Sequence, residues 1–236
     1  GLMKDPVPLL QAITDEKDDI FSSLLLLAGR CIAECEEHPH PLVAEIIDRI
    51  YNLWRNYPSV DFISSVVWSL GRVSSRMSER LRKALNDEYS EIREAAARAL
   101  AEIGNRQAIE PLIRALKDED SDVRWKAAGA LTEIGGQQVV ELLIRAIKDE
   151  DSNVRRCTVW TLGKIGGQQV VNPLIQALED EDGSVRYYAA WALGEVGSEQ
   201  SIEPLIRALK AEDSNVRGAA AKALAEIGSQ QAVQPL

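Results

Sequence analysis

Residues 111–141 read PLIRALKDEDSDVRWKAAGALTEIGGQQVVE, and close variants of this stretch return every 31 residues. The spacing is kept by one β-branched apolar residue per unit, the register residue: Ile92, Val123, Val154, Val185 and Val216. A leucine and a glycine follow it in the same register in every unit. A fixed period of roughly 20–50 residues is typical of solenoids and repeat arrays. The sequence therefore predicts a repeat protein.

Each unit is expected to form two helices. The first helix is predicted to begin at a proline, as at Pro111, because first-turn N–H groups lack helical partners anyway. An acidic turn follows, in which Asp120 or Ser121 can cap the second helix. Apolar residues after Val123 fall at the helical period and form one stripe. Gly135 is predicted to end that helix in the left-handed conformation.

An arginine follows every register residue, and these register arginines have two possible roles: Arg93, Arg124, Arg155, Arg186 and Arg217. The favoured interpretation is a structural ladder, in which each arginine pairs with an aspartate of a neighbouring turn. The alternative is a row of anion-binding sites, which the acidic residues in every repeat disfavour.

The segments D-x-x-V-R…A-L-x-x-I-G and P-L-I-x-A-L resemble the short HEAT-like repeats of phycobilisome lyases, the E-Z repeat type. This resemblance covers residues 80–236 and implies an all-α, right-handed α-solenoid of 31-residue HEAT-like helix pairs. Residues 80–236 are therefore expected to be the regular part of the array. Such folds serve scaffolds, lyases and hydroxylases alike, so the resemblance alone does not assign a function.

Residues 1–79 are expected to hold degenerate repeats and an amino-terminal cap, continuous with the regular array. Residues 62–73 (FISSVVWSLGRV) align without gaps on residues 154–165 (VRRCTVWTLGKI), and Trp68 falls where Trp160 falls. The segment LLLLAGRCIAEC, followed by a proline break, resembles the region that precedes HEAT repeats in bacterial NACHT-type NTPases. That resemblance implies the repeat region of a larger multidomain protein, although no phosphate-binding G-x-x-x-x-G-K-[ST] motif occurs here.

The carboxyl-terminal residues align on the opening of another first helix, so the array is expected to be cut there. Leu224, Ile227 and Val233 are then expected to lack a neighbour that covers them. This predicts fraying, or self-association of that flank with a second copy.

Charge and composition exclude several classes of partner. The formal net charge of −10 disfavours nucleic acid, which requires a basic surface. The longest apolar run, at residues 24–28, is far too short to cross a membrane. Three cysteines, an odd number, fit a reducing cytoplasm better than a disulfide framework. A cytoplasmic protein is expected.

One cluster of possible metal ligands stands out, namely Cys31, Cys35, His38 and His40. Its spacing matches no standard zinc pattern, and small cysteines pack well inside helices. We therefore expect no metal and no cofactor. The acidic runs lie in predicted turns, where carboxylates stay exposed, so no catalytic group is expected either.

The positions two, three, six and ten residues after each register residue point away from the apolar stripe and are predicted to line the concave face. They vary between repeats, and three consecutive repeats place aromatic and basic residues there. The predicted partner-binding residues are Trp125, Lys126, Arg156, Trp160, Tyr187, Tyr188 and Trp191. Trp160 and Trp191 should lie side by side and form a four-residue patch with Arg156 and Tyr187. The alternative is that these rings pack against neighbouring helices and remain mostly covered.

The favoured function is a non-catalytic protein-interaction or sensor scaffold that binds a protein or peptide on its concave face. The alternative is a phycobilin lyase subunit, or a related chaperone that binds bilins or phycobiliproteins. Residues 186–191 (RYYAAW) are similar to an aromatic motif of those lyases, whose aromatic groove holds the bilin.

Overall fold

The computed structural model describes residues 23–34, 41–104 and 106–233. Across these ranges the chain is α-helical, with three short 3₁₀ turns and no strand. The helices are α1 (Ser23–Glu34), α2 (Pro41–Asn56), α3 (Asp61–Val73), α4 (Ser75–Ala84), α5 (Ser90–Ile103), α6 (Ile109–Ala115), α7 (Ser121–Ile134), α8 (Gln137–Ala146), α9 (Ser152–Ile165), α10 (Val171–Ala177), α11 (Gly183–Val196), α12 (Ile202–Ala208) and α13 (Ser214–Val233). The 3₁₀ turns precede α6, α10 and α12.

The chain forms two compact units, of which the first ends at Pro111 and the second begins at Leu112. In the first unit, α3 packs against α1 and α5, while α2 packs against α3 and α4. In the second unit, α7, α9, α11 and α13 lie side by side in chain order, and α8, α10 and α12 pack against them. Stacked helix pairs of this kind bury apolar stripes that one pair cannot bury alone. The predicted α-solenoid fold is confirmed, while the proposed division at residue 79/80 stays a prediction.

The register residues form the centre of the core, as predicted. All five are buried: Ile92, Val123, Val154, Val185 and Val216. At the carboxyl-terminal flank the prediction was partly wrong. Ile227 is only 1% exposed, because α13 packs against both α11 and α12. Leu224 is partly buried, and the side chain of Val233 lies outside the described residues.

Aspartates cap the second helices, which confirms the predicted role of Asp120. Its carboxylate accepts a hydrogen bond from the Asp122 backbone N–H at 2.8 Å. Asp151 and Asp182 repeat this contact, also at 2.8 Å. Although burial opposes the shift, the backbone N–H groups of Val185 and Ser184 lower the pKa of Asp182. The acidic turns are therefore helix caps.

Two predicted helix boundaries require correction. The first helices α6, α10 and α12 begin two residues before their prolines, which still lie in the first turn, where their missing N–H is harmless. Gly135 has φ 57° and ψ −161°, so it is extended with a positive φ, and Gly136 continues in the same way. Only glycine adopts this conformation readily, which explains the Gly-Gly pair. Gly228 lies inside α13 and ends no helix.

The register arginines are structural, as favoured, but their shared contact differs from the predicted ladder. Arg124 donates to the backbone carbonyls of Asp118 and Glu119 in its own turn, at 2.7 and 2.9 Å. Arg186 and Arg217 make the equivalent pair of contacts. Arg155 also reaches the next turn, where it forms a two-point hydrogen bond with the Asp180 carboxylate at 2.8 and 2.9 Å. Each arginine therefore ties the acidic turn to its second helix.

Candidate functional site

Three adjacent second helices of the second unit place five aromatic side chains in one group, which we call the aromatic row. Its members are Trp125 on α7, Trp160 on α9, and Tyr187, Tyr188 and Trp191 on α11. The helices bring them together because α9 packs against both α7 and α11. The 31-residue period keeps Trp160 and Trp191 at the same height on neighbouring helices.

The rings form a connected network. Trp160 and Trp191 are stacked, with centroids 6.5 Å apart and an interplanar angle of 11°. Trp125 meets the Trp160 ring at 5.3 Å and 87°, and it also contacts Tyr188 at 5.8 Å. Tyr188 in turn contacts Trp191 at 6.4 Å and Tyr187 at 5.1 Å. Edge-to-face and offset arrangements of aromatic rings are electrostatically favourable. Tyr188, which contacts Trp125, Tyr187 and Trp191, is therefore the most connected ring of the row.

The row is neither fully open nor fully covered. Tyr187 is 37% exposed, while the four other rings are partly buried. Each ring covers part of the next, so the accessible aromatic area is smaller than five separate rings would offer.

Below the row, Gly163 lets α9 and α11 approach closely. A Cβ at that position would lie 2.5 Å from the Ala192 Cβ and 3.2 Å from the Trp191 ring.

Two cations lie against faces of these rings. The Arg156 guanidinium carbon lies 5.8 Å from the centroid of Trp125, and Lys164 Nζ lies 4.8 Å from that of Trp191. Lys164 also pairs with Glu195 at 3.4 Å. The Nε atom of Arg156 is buried and has no hydrogen-bond partner. The row therefore combines aromatic faces with two different cations. The charge of Lys164 is balanced by Glu195, whereas the Nε atom of Arg156 lacks an oxygen acceptor.

Cys157 lies beneath Arg156 and is fully buried. Burial raises the pKa of its thiol, against the opposing charges of Arg156 and Arg124. A thiol held in its neutral form is a poor nucleophile, so Cys157 acts here as a packing residue.

The structure brings most of the predicted site residues together. Trp160 and Trp191 lie side by side as expected, and Lys126 is exposed beside Trp125 on α7. The predicted four-residue patch differs in its contacts. Arg156 lies over Trp125 instead of beside Trp160, and Tyr187 reaches the row through Tyr188. The prediction also left out Lys164, although its position, four residues after Trp160, indicated the same helix face.

The cluster of possible metal ligands, at which no metal is expected, is described only in part. Cys31 is partly buried in α1, whereas Cys35, His38 and His40 lie outside the described residues. Within the described ranges, no group of three or more His, Cys, Asp or Glu side chains is arranged to hold a metal ion.

Among the described residues, two further concavities lie outside the predicted partner-binding residues. In the first unit, a cleft of about 690 Å³ lies between the end of α2 and the face of α5, and is lined by Arg55, Pro58, Tyr89, Glu94 and Arg98, among others. In the second unit, a groove of about 440 Å³ runs between α8 and α10, with Ile144, Lys148 and Pro173 in its walls. Neither holds a group of reactive side chains, so the aromatic row remains the main candidate.

Comparisons with solved structures give several matches. The chain is similar to an engineered protein (25% identity, TM-score 0.43), with 96% of this chain and 98% of that one covered. It is also similar to the complex of CpcE and CpcF of phycocyanin lyase from Nostoc sp. PCC7120 (27% identity, 83% and 81% covered, TM-score 0.44). A designed armadillo repeat protein in complex with the peptide (KR)4 matches at 19% identity, with 77% and 99% covered and a TM-score of 0.44.

A search of curated proteins gives no match. Among the described helices, none is both long and apolar enough to cross a membrane. The family comparison is more informative. The model for HEAT repeats matches residues 47–125, 78–143, 109–175 and 171–236, which together span 47–236. These matches cover well over half of the chain and extend into the degenerate amino-terminal repeats. The chain therefore belongs to the HEAT repeat family.

Proposed function

We propose that this protein is a non-catalytic scaffold that binds a protein or peptide segment on the aromatic row, the face predicted to be concave. One observation carries the proposal: five rings and two cations from three successive repeats form one connected group on a single face. Aromatic and arginine side chains dominate the energy of protein interfaces.

The repeat pattern supports the same proposal. The register residues are constant and buried because packing fixes them. The columns of the aromatic row vary between repeats, and one shared height holds Arg98, Gly129, Trp160, Trp191 and Lys222. Packing therefore does not dictate these residues, which leaves them available for recognition.

A peptide selection tests the proposal. A random dodecapeptide library displayed on phage is selected against the immobilised full chain, and enriched peptides are measured by fluorescence anisotropy. The double substitution of Trp160 and Trp191 by alanine should weaken binding by roughly 30-fold or more, as expected for hot-spot rings. It should also lower the free energy of unfolding by about 1–3 kcal/mol, since the rings contact each other.

Trp68→Ala is the matched control. Trp68 occupies the position on α3 that aligns with Trp160, and it makes no ring contact within the described residues. Its substitution should leave peptide affinity within about twofold. Enriched peptides that bind the double variant as tightly as the wild type would place the binding surface elsewhere.

Three finer parts of the proposal rest on the sequence. The resemblance around LLLLAGRCIAEC supports a larger NACHT-type protein, in which this array senses a ligand or partner. The parent gene tests this, because a phosphate-binding motif should lie upstream.

A cytoplasmic location follows from the cysteine content. Self-association of the carboxyl-terminal flank is tested by sedimentation, where a concentration-independent monomer would contradict it.

Bilin binding is the second candidate. It is supported by the RYYAAW motif, whose Tyr187, Tyr188 and Trp191 all lie in the row, and by cations that suit the propionates of a tetrapyrrole. Mixing the protein with phycocyanobilin tests it. A red-shifted absorbance that is lost in the Trp160/Trp191 double variant would favour this function, and the absence of any shift would remove it.

A further inference from the structure

We propose that the segment bound by the aromatic row is acidic, and that a carboxylate flanked by an aromatic or large apolar residue pairs with the Arg156 guanidinium. This inference rests on the proposed function, because it names the partner chemistry of the same face. It concerns one side chain whose hydrogen-bonding capacity the fold leaves unfilled.

Arg156 differs from the register arginines around it because it makes no hydrogen bond to an oxygen of the described residues, whereas Arg124, whose Nε is also buried without a partner, donates to two backbone carbonyls. The register arginines Arg155 and Arg186 each donate to two backbone carbonyls of their own turn. Arg156, the next residue along α9, has a buried Nε with no hydrogen-bond partner. Its recorded polar neighbour is the Cys157 thiol, which is a weak acceptor. Because this Nε is covered, an incoming carboxylate meets the guanidinium at its Nη groups. These groups make no hydrogen bond to an oxygen of the described residues, so an acceptor gains more here than at a satisfied arginine.

Two other cations on this face already have counter-charges. Lys164 pairs with Glu195 at 3.4 Å, and Lys222 pairs with Glu226 one turn along α13 at 3.6 Å. Within the described residues, no carboxylate forms an ion pair with Arg156. Arg156 is therefore a position on the row where an external carboxylate replaces no internal one.

Neighbouring rings prepare this site for a carboxylate. The guanidinium lies over the Trp125 ring at 5.8 Å, and stacking of this kind orients the planar donor group. A fixed guanidinium matches a carboxylate through two parallel hydrogen bonds. Tyr188 contacts Trp125, and the more exposed Tyr187 contacts Tyr188, so a residue next to the carboxylate meets ring faces. The row thus selects an acid and an aromatic or apolar residue together.

The net charge of −10 repels acidic ligands at long range, but this does not cancel the contact. At physiological ionic strength the screening length is about 8 Å, so distant acids act weakly on a bound carboxylate. The direct hydrogen bonds to Arg156 act at contact distance. Binding of an acidic segment is therefore determined by the contacts at Arg156 and not by the net charge of the chain.

The dodecapeptide selection on the full chain tests this chemistry. Wild-type protein should enrich peptides with Asp or Glu next to Trp, Tyr, Phe or Leu. For a synthetic enriched peptide, Arg156→Gln should weaken binding at least about tenfold, as expected for a charge-assisted pair. For wild-type protein, replacing the peptide's acid by its amide should weaken binding by the same factor. For the Arg156→Gln variant, the same change in the peptide should not weaken binding further. Lys222→Gln, at a cation already paired, is the matched control and should stay within about twofold.

The outcomes separate the two proposals. Enriched peptides without acids, basic peptides, or binding indifferent to the peptide's acid would overturn the carboxylate inference and leave the scaffold proposal standing. No enrichment on wild-type protein, or equal binding by the Trp160/Trp191 double variant, would overturn both. The acid-to-amide change is made in the peptide, so this arm holds even if Arg156→Gln folds poorly.

Discussion

Arg155 and Arg186 occupy the same register position in successive repeats, yet their surroundings differ. Both donate to two backbone carbonyls of their own turn. Arg155 is also buried against the Asp180 carboxylate, and the hydrogen bond to Asp180 raises the pKa of Arg155. A repeated residue therefore has a shared structural role and, at Arg155, an additional buried ion pair that Arg186 does not make.

This difference predicts unequal costs of substitution. Arg155→Met should lower the free energy of unfolding by about 3 kcal/mol, because it leaves the largely buried Asp180 carboxylate without its partner. Arg186→Met loses the carbonyl contacts alone and should cost about 1 kcal/mol. Urea unfolding followed by circular dichroism measures both variants. Equal losses would show that the Asp180 pair contributes nothing beyond the carbonyl contacts.

At the scale of helices, Gly163 and Gly194, each nine residues after its register residue, allow second helices to pack closely. A Cβ at Gly163 would lie 2.9 Å from the Ala192 backbone, and one at Gly194 would lie 2.8 Å from the Ala223 backbone. Gly129, by contrast, has nothing within 4 Å of the position its Cβ would take. Gly163 and Gly194 therefore serve helix contact, whereas Gly129, six residues after Val123, serves no packing contact.

Gly163→Ala and Gly129→Ala should therefore have opposite effects. Gly163→Ala pushes α9 and α11 apart and should destabilise the protein by about 1–3 kcal/mol. Gly129→Ala removes chain flexibility in α7 without a clash and should stabilise it by about 0.5–1 kcal/mol. Thermal and urea unfolding give both values. A stabilising Gly163→Ala would contradict the close packing of α9 and α11.

In the first unit, a carboxylate joins two helices. Asp48 on α2 accepts hydrogen bonds from Arg76 and Arg80 on α4, at 2.8 and 2.7 Å. Chiefly through the Arg76 hydrogen bond, these contacts lower the pKa of Asp48 to about 2. A carboxyl whose pKa is lower in the folded state stabilises the fold above its unfolded pKa. That contribution is lost as the pH falls through the folded value.

Asp48→Asn should therefore lower the free energy of unfolding by about 1 kcal/mol at pH 7, since the partly exposed ion pairs are screened by solvent. The difference from wild type should shrink below pH 4 and disappear near pH 2. Urea titrations across this range measure it. Glu45→Gln, at an exposed carboxylate on the same helix, is the control and should show a smaller effect. A difference that stays constant down to pH 3 would exclude the Asp48 contacts as its source.

For the whole molecule, the 31-residue period was enough to predict the helix pairs, the buried register residues and the aspartate caps, because packing and capping repeat with the sequence. The contact between Trp160 and Trp191 followed from the same periodicity. The position of Arg156 over Trp125 did not, since it depends on side-chain rotamers that join different columns. The covering of Ile227 was missed because it depends on two other helices, α11 and α12.

The same architecture predicts how a local change spreads. In the second unit each second helix packs against the second helices next to it, so stability is approximately a sum of neighbour terms. Gly163→Ala weakens the α9–α11 interface and should raise amide exchange in these helices by about 30-fold for a loss of about 2 kcal/mol. Exchange in α13 should rise less, and exchange in α2–α4 of the first unit should not change. Hydrogen exchange with mass spectrometry measures this gradient. A uniform rise across both units would mean that the chain unfolds as a single cooperative body.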